Sequence, residues 1–293
     1  AFLTLSFAPG ECAQVDWGSF GSVNVGNTRR KLSFFVMVLC YSRMMYVEFT
    51  LSQKMEYFLQ CHQNAFAYFG GIPEKIMIDN LKTGVIEHKM GQEVQFNPGY
   101  LDFAKHYDFK PIACNVRSPQ EKGRVENGVS YVKGNFLNGL DISDFKVLPA
   151  QAQSWLDDIA NVRVHRETGE KPTVMLEKEK PTLRSLTLNA YDVSSSHKLR
   201  ASSTFRISVD TNRYSVPAQY ASQYLDVKLL PEKLLIYHDG QLIAEHIRSY
   251  GRKGDFENPD HPRALLSKKH KAIFQKQLQR FLQLGEHSEI FYQ

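Results

Sequence analysis

The sequence predicts an α/β domain followed by a small all-β domain. Three observations lead there. Apolar strand-like runs and amphipathic helices intermix over residues 11–170, with three strands adjacent at the start. After residue 200 the apolar period drops to two, in five short runs. Between these regions, residues 171–200 are polar and punctuated by Pro172, Pro181 and Ser194-Ser195-Ser196, the composition of a linker.

Residues 1–10 form a lead-in segment ending at Pro9-Gly10. Gln14 to Gly18 reads as the end of a strand, and Lys31 to Tyr41 as a central strand buried on both faces. Met44 to Thr50 is its antiparallel partner. A helix over Ser52–Phe69 follows from Met55, Phe58, Leu59, His62, Ala65, Phe66 and Phe69 on one face, closed by Gly70-Gly71. His62 lies on that inner face, the place of a hydrogen-bonded core residue. Lys75 to Ile78 is a short strand, Pro98 to Tyr107 a helix and Lys110 to Val116 another strand. Ser118-Pro119 is a helix start, and Val125, Val129, Val132 and Phe136 continue it at helical spacing. Ala150 to His165 adds a helix around Trp155, Ile159 and Val162.

Beyond the linker, strands are expected at 205–209, 213–216, 224–230, 234–238 and 242–247, with a tight hairpin at Asp239-Gly240. Five short strands over residues 201–250 indicate a small β-barrel. Residues 251–293 form a basic tail, helical from Ala264 to Leu284.

Composition bounds the function. The 293 residues are 42% apolar and 23% charged, and the longest apolar run, Phe34 to Tyr41, is far too short for a membrane span. No signal peptide is recognisable, and the start at Ala1 suggests a fragment or processed piece. Cys12, Cys40, Cys61 and Cys114 form no CxxC pair, as expected of reduced, buried thiols in a cytoplasmic protein. No phosphate-binding GxxxxGK[ST] loop is present. Net charge is +5, from 36 Lys/Arg against 31 Asp/Glu; residues 196–293 carry 15 and 10, so the first 195 are neutral. The excess sits on the β-barrel and tail, a mild basic bias that is permissive for nucleic acid but does not by itself name a partner.

Three carboxylates occupy special places. Asp16 is on the first strand, Asp79 ends the fourth, and Glu126 is early on the helix after the fifth. If the first and fourth strands are neighbours and the helix packs over their ends, the three can meet. Such a cluster repels itself unless a cation holds it, and oxygen-only ligands suit Mg²⁺ or Mn²⁺. Two ions can activate an attacking oxygen and stabilise a leaving one in phosphoryl transfer. Glu121 competes with Glu126, but lies roughly 140° away on the helix, so only one can face the site. Glu126 borders the apolar face beside Val125, whereas Glu121 suits the helix dipole.

The local sequences sharpen this. Ser118-Pro119-Gln120-Glu121-Lys122-Gly123-Arg124-Val125-Glu126-Asn127 resembles the glutamate motif of retroviral integrases and related transposases. Gln14-Val15-Asp16-Trp17-Gly18 and Ile78-Asp79-Asn80 resemble that superfamily's other acidic motifs. Pro9-Gly10-Glu11, Phe66 to Pro73, Asp79 to Thr83, Asn161 to His165 and Asn212 to Pro217 make the chain similar, more narrowly, to IstA-type insertion-sequence transposases over most of residues 9–220. The resemblance implies a ribonuclease H-like five-stranded mixed sheet in residues 11–170. It implies a DDE site at Asp16, Asp79 and Glu126, and 3′-end nicking followed by DNA strand transfer. It also implies double-stranded DNA as substrate, a homo-oligomer on DNA, a separate ATPase helper and action at the bacterial nucleoid. The family's N-terminal helix-turn-helix region has no counterpart in this sequence.

Other residues leave alternatives open. Lys122 and Lys133 share the Glu126 side of the helix, as solvated lysines or as DNA-phosphate contacts with Arg124. Asn80 orients Asp79, touches DNA or forms a turn. Trp17 packs in the core or stacks on a base. His165 and Arg166 pack near the site or contact DNA. Arg206 and Arg213 are part of the barrel's wet face or of a DNA platform. Two rival functions stand beside the transposase: a nuclease that only hydrolyses, and a non-catalytic DNA-binding remnant of a mobile element.

Overall fold

The computed structural model describes residues 6–78, 83–87, 94–114, 119–140, 142 and 144–282, with the backbone alone at 119–123 and 264. The chain divides into two units, Ala1–Ser195 and Ser196–Gln293.

In the first unit β1 (Cys12–Val25), β2 (Thr28–Leu39) and β3 (Met45–Thr50) form an antiparallel meander. Helix α1 (Met55–Phe69) ends at Gly70, whose φ of 76° is the left-handed stop anticipated there. β4 (Lys75–Ile78) runs parallel to β1, and after the small hairpin β5 (Val85–Glu87) and β6 (Gln95–Phe96) comes α2 (Pro98–His106). β7 (Lys110–Ala113) pairs in parallel with β4. The five-stranded order is therefore β3-β2-β1-β4-β7, which makes the first and fourth strands neighbours. This mixed sheet is of the ribonuclease H-like type.

Helix α3 (Pro119–Tyr131) lies on one sheet face and runs into a wider π-helical turn over Val132–Leu137. Val125 and Val132 are buried, as the spacing predicts. The expected helix over 150–165 is different. α4 (Leu148–Trp155) passes into a second π turn, Leu156–Ala160, and stops. The wider turn rotates the buried face, so Leu156 and Ala160 point inward and Ile159 is exposed.

Residues 171–195 are not a linker in the structure. They begin with α5 (Pro172–Glu179), and Leu176 and Val193 join the first unit's core. Glu179 is fully buried and accepts hydrogen bonds from the N–H groups of Gly10 and Ser42, at 3.0 and 3.1 Å. Ile72 and Arg184 exchange backbone bonds. The segment is polar in sequence because it lies on the surface, yet its few inward residues strap the sheet.

The second unit has β8 (Ser195–Arg200), β9 (Arg206–Val209), β10 (Asn212–Ser215), β11 (Tyr224–Leu229), β12 (Lys233–His238), β13 (Gln241–Ile247) and β14 (Asp255–Phe256). These fall into two sheets, β13-β12-β11-β8 and β14-β10-β9, over one shared apolar core. The expected strands are present, with β8 and β14 added to them. Asp239 and Gly240 both have positive φ, the two-residue turn their sequence suggested. α6 (Arg263–Leu282) carries the basic tail. Among the described residues no helix is long and apolar enough to cross a membrane.

Candidate active site

Side chains alternate along a strand, so Gln14, Asp16 and Gly18 share one face of β1. Their cross-strand partners Val38, Val36 and Phe34 share it too. Helix α3 covers this face. A methyl group on Gly128 would sit 3.3–3.4 Å from Met45, Val38 and Val36, so the glycine lets the helix lie close to the sheet. The Val125 N–H donates to Gln14 Oε1 at 3.1 Å, and Gln14 is itself 1% exposed. One polar bond thus fixes α3 against β1 two residues before Asp16, and the next helical residue is Glu126.

Asp16 is half-buried, and its Oδ1 accepts the Trp17 N–H at 2.7 Å, which sets the side-chain rotamer. Gly18 is required next to it. A Cβ there would come within 2.0 Å of the Phe34 ring, which lies across the strand at that point. β4 closes the site from the other side: Val15 pairs with Ile78, so its last residue stands beside the one before Asp16. Asp79 and Asn80 follow Ile78 in sequence and lie outside the described residues. Glu126 is exposed.

The opposite face is sealed. Trp17 meets Phe35 edge-on at 5.6 Å and approaches Phe58, so it is a packing residue. His62 is fully buried among Phe35, Phe58, Tyr100 and Phe103. It bonds through Nδ1 to the Phe58 carbonyl at 2.7 Å, and burial pushes its pKa down to about 3.

The expected DNA contacts separate on inspection. Lys133 is exposed, and the side chains of Lys122 and Glu121 lie outside the described residues. Arg124 is not a surface residue: its side chain is 10% exposed, over the Phe7 ring and 3.8 Å from Glu167. Arg206 is held by Asp255 at 2.8 Å and by Glu257. Arg213 is exposed but shares Asp255 at 2.7 Å. The Arg206 hydrogen bond, first among its causes, holds the Asp255 carboxyl below its usual range. His165 is partly buried, and Arg166 is exposed. Sequence reasoning missed the anchoring role of Gln14, although its two-residue spacing from Asp16 places both on one face. It gave no role to Arg43, Arg163 or Glu167, although Arg163 falls within the Asn161 to His165 stretch that carries the resemblance.

Comparison with known proteins agrees with this geometry. Residues 7–119 match the integrase core domain, and residues 186–258 match the C-terminal domain of Mu transposase. A putative transposase for insertion sequence element IS5376 from Geobacillus stearothermophilus is 35% identical over 80% of this chain and 58% of its own length. The transposase for insertion sequence element IS21 from Pseudomonas aeruginosa is 33% identical over 85% and 64% respectively. The catalytic core domain of HTLV-2 integrase, solved in complex with magnesium, aligns over 57% of this chain and 96% of its own at 17% identity, with a TM-score of 0.42. Within the first unit, the residues that match the integrase core domain are those that build the sheet ordered β3-β2-β1-β4-β7. The chain is related to the insertion-sequence transposases, of which that of IS21 is one, and it spans less than two thirds of the length of these two relatives.

Proposed function

We propose that this chain is the catalytic part of a DNA transposase, which nicks the 3′ ends of a bacterial insertion sequence and joins them to target DNA. The observation that carries the reading is the bond from the Val125 N–H to Gln14 Oε1, which brings the start of α3 onto the Asp16 face where β4 ends. Asp16, Asp79 and Glu126 are the metal ligands in this reading. The donor set fits Mg²⁺ or Mn²⁺: carboxylate oxygens only, one on a rigid strand and one on a helix bonded to that strand. Two bound ions would supply the Lewis acidity that makes an attacking oxygen nucleophilic and a leaving oxygen stable.

The chain's own residues do the positioning. Gln14 holds the helix that bears Glu126, and Trp17 N–H holds Asp16. Lys122 and Lys133 are proposed to steady the DNA backbone beside Glu126 and Asn80 to orient Asp79, with Arg213 a weaker contact on the second unit. The substrates are double-stranded transposon ends and target DNA. The working form is a homo-oligomer on DNA, with a separate ATPase helper, in the bacterial cytoplasm.

The test is strand transfer with pre-cut ends in Mg²⁺ or Mn²⁺. The wild type joins ends, Glu126→Gln abolishes joining and Glu121→Gln retains it. Cleavage without joining would identify a pure nuclease. Equal Mn²⁺ binding by the wild type and Asp79→Asn would reject the metal assignment, and with it the transposase.

A further inference from the structure

On the other flank of α3 lies a second polar site. A cavity of about 60 Å³ is lined by Arg43, Arg124, Arg163, His165 and Glu167. At ~30 Å³ per water it has room for about two waters or one small oxyanion. Its charge is unbalanced, with three guanidinium groups facing one carboxylate. Glu167 Oε1 accepts from Arg43 Nη2 at 2.6 Å and stands 3.8 Å from Arg124 Nη2. Arg43 is 8% exposed, donates through Nη1 to the Cys40 carbonyl, and keeps a buried Nε–H with no acceptor among the described residues. Arg163 stacks on the Tyr131 ring at 3.3 Å and makes no hydrogen bond or ion pair among the described residues. Stacking fixes the guanidinium plane and leaves its edge donors available.

His165 adds a donor rather than a charge. Its Nδ1 accepts the Glu167 N–H at 3.3 Å, so the neutral ring carries its proton on Nε2. Burial, then Arg43 and Arg163, hold its pKa below the usual range. Burial and Arg124 likewise lower that of Arg43, the sign of positive groups crowded without enough negative charge.

We propose that this pocket binds a phosphate group, gripped by the Arg43 and Arg163 guanidinium groups and the His165 ring. The favoured source, which rests on the function proposed above, is a backbone phosphate of the DNA strand being processed. Arg124 and Glu126 are about 160° apart on α3, so the pocket and the carboxylates flank one helix. The other source of the same chemistry is free phosphate.

The test is calorimetric titration of the full chain with inorganic phosphate, paired with duplex-DNA binding over a salt series. Arg163→Gln is expected to weaken phosphate binding about tenfold, as loss of a charge-assisted donor pair does. Arg163→Lys keeps the charge without the fork and falls between. Glu167→Gln removes the competing carboxylate and should tighten binding several-fold, which a purely structural ion pair would not do. DNA should displace phosphate, and Arg163→Gln should flatten the slope of log K against log salt by about 0.9. No phosphate binding, or binding indifferent to Arg163→Gln and Glu167→Gln, overturns the site. The variant pattern without displacement by DNA or a change in slope overturns the strand as source and leaves free phosphate. Glu126→Gln should bind phosphate normally while losing DNA joining. A wild type that joins no DNA but keeps the phosphate pattern would therefore reject the function and not the pocket.

Discussion

The two faces of β1 and β2 are built from alternate residues of the same strands, yet they do opposite things. Under α1, Trp17, Phe35, Phe58, His62, Tyr100 and Phe103 form an aromatic block that excludes water. Under α3 the strand presents Gln14, Asp16 and Gly18, and the helix answers with Val125, Glu126 and Gly128. The first face spends its side chains on cohesion. The second is held by the buried Val125–Gln14 hydrogen bond, by the packed Val125 and Val132 and by a glycine that allows close approach, which leaves room at its edge for the proposed carboxylate ligands. A reactive group can sit on a thin polar face because the other face already stabilises the sheet.

That contrast can be broken at several points. The largest effect belongs to Asp16→Asn, which removes a proposed metal ligand without changing size. Strand transfer should fall by at least about 10³-fold, since metal electrostatics contribute several kcal/mol to phosphoryl transfer. The thermal midpoint should change little, and a rate within tenfold of wild type would return Asp16 to a structural role. Gly18→Ala comes next. Its Cβ would collide with Phe34, so a loss of about 1–3 kcal/mol is expected in urea titration. Unchanged stability would mean that Phe34 has space to swing away.

The sealed face is tested by pH. His62 has a folded pKa of about 3 against a reference value of 6.5. Below pH 6.5 the unfolded chain takes up a proton that the folded chain refuses. Stability is therefore full above that pH and is lost as pH falls towards the folded value, by up to ~1.4 kcal/mol per unit from this residue. His62→Phe should flatten this acid limb in unfolding experiments between pH 6.5 and 4. Equal slopes in both proteins would show that the ring finds water or a partner that tolerates its charge.

Much of the fold was legible because it is written in apolar period. The Met55–Phe69 stripe and the unbroken Phe34–Leu39 run each have one reading when length is taken into account. The proposed site was read differently: Asp16, Asp79 and Glu126 are singled out by motif resemblance, since spacing alone leaves each as an ordinary acid. What escaped has physical causes. A π turn changes the number of residues per turn without a sequence mark, so Ile159 was assigned inward. Residues 172–195 bury only a few side chains, too few to show a period, so a strap resembled a linker. Arg124 sits on a helix that looks polar all round on that flank, and only the fold shows the 160–172 segment closing over it.

Gln14→Ala is the smallest expected effect and the one that most directly tests how the proposed reactive face is held. The amide loses its acceptor for the Val125 N–H, and a single neutral hydrogen bond is worth about 1 kcal/mol. The helix stays on the sheet because Gly128 and the buried Val125 and Val132 still pack there. What changes is the precision with which Glu126 stands relative to Asp16. Misplacement by about 1 Å can cost up to 10²-fold in rate, so a decline of about tenfold in strand transfer, with a small drop in thermal midpoint, is the expected pair. Gln14→Glu keeps an acceptor oxygen and should restore the midpoint more fully than the rate, because it adds a charge two residues from Asp16. If Gln14→Ala loses stability but no activity, the amide serves the core alone, and the position of Glu126 is set by the glycine contact with Val36 and Val38.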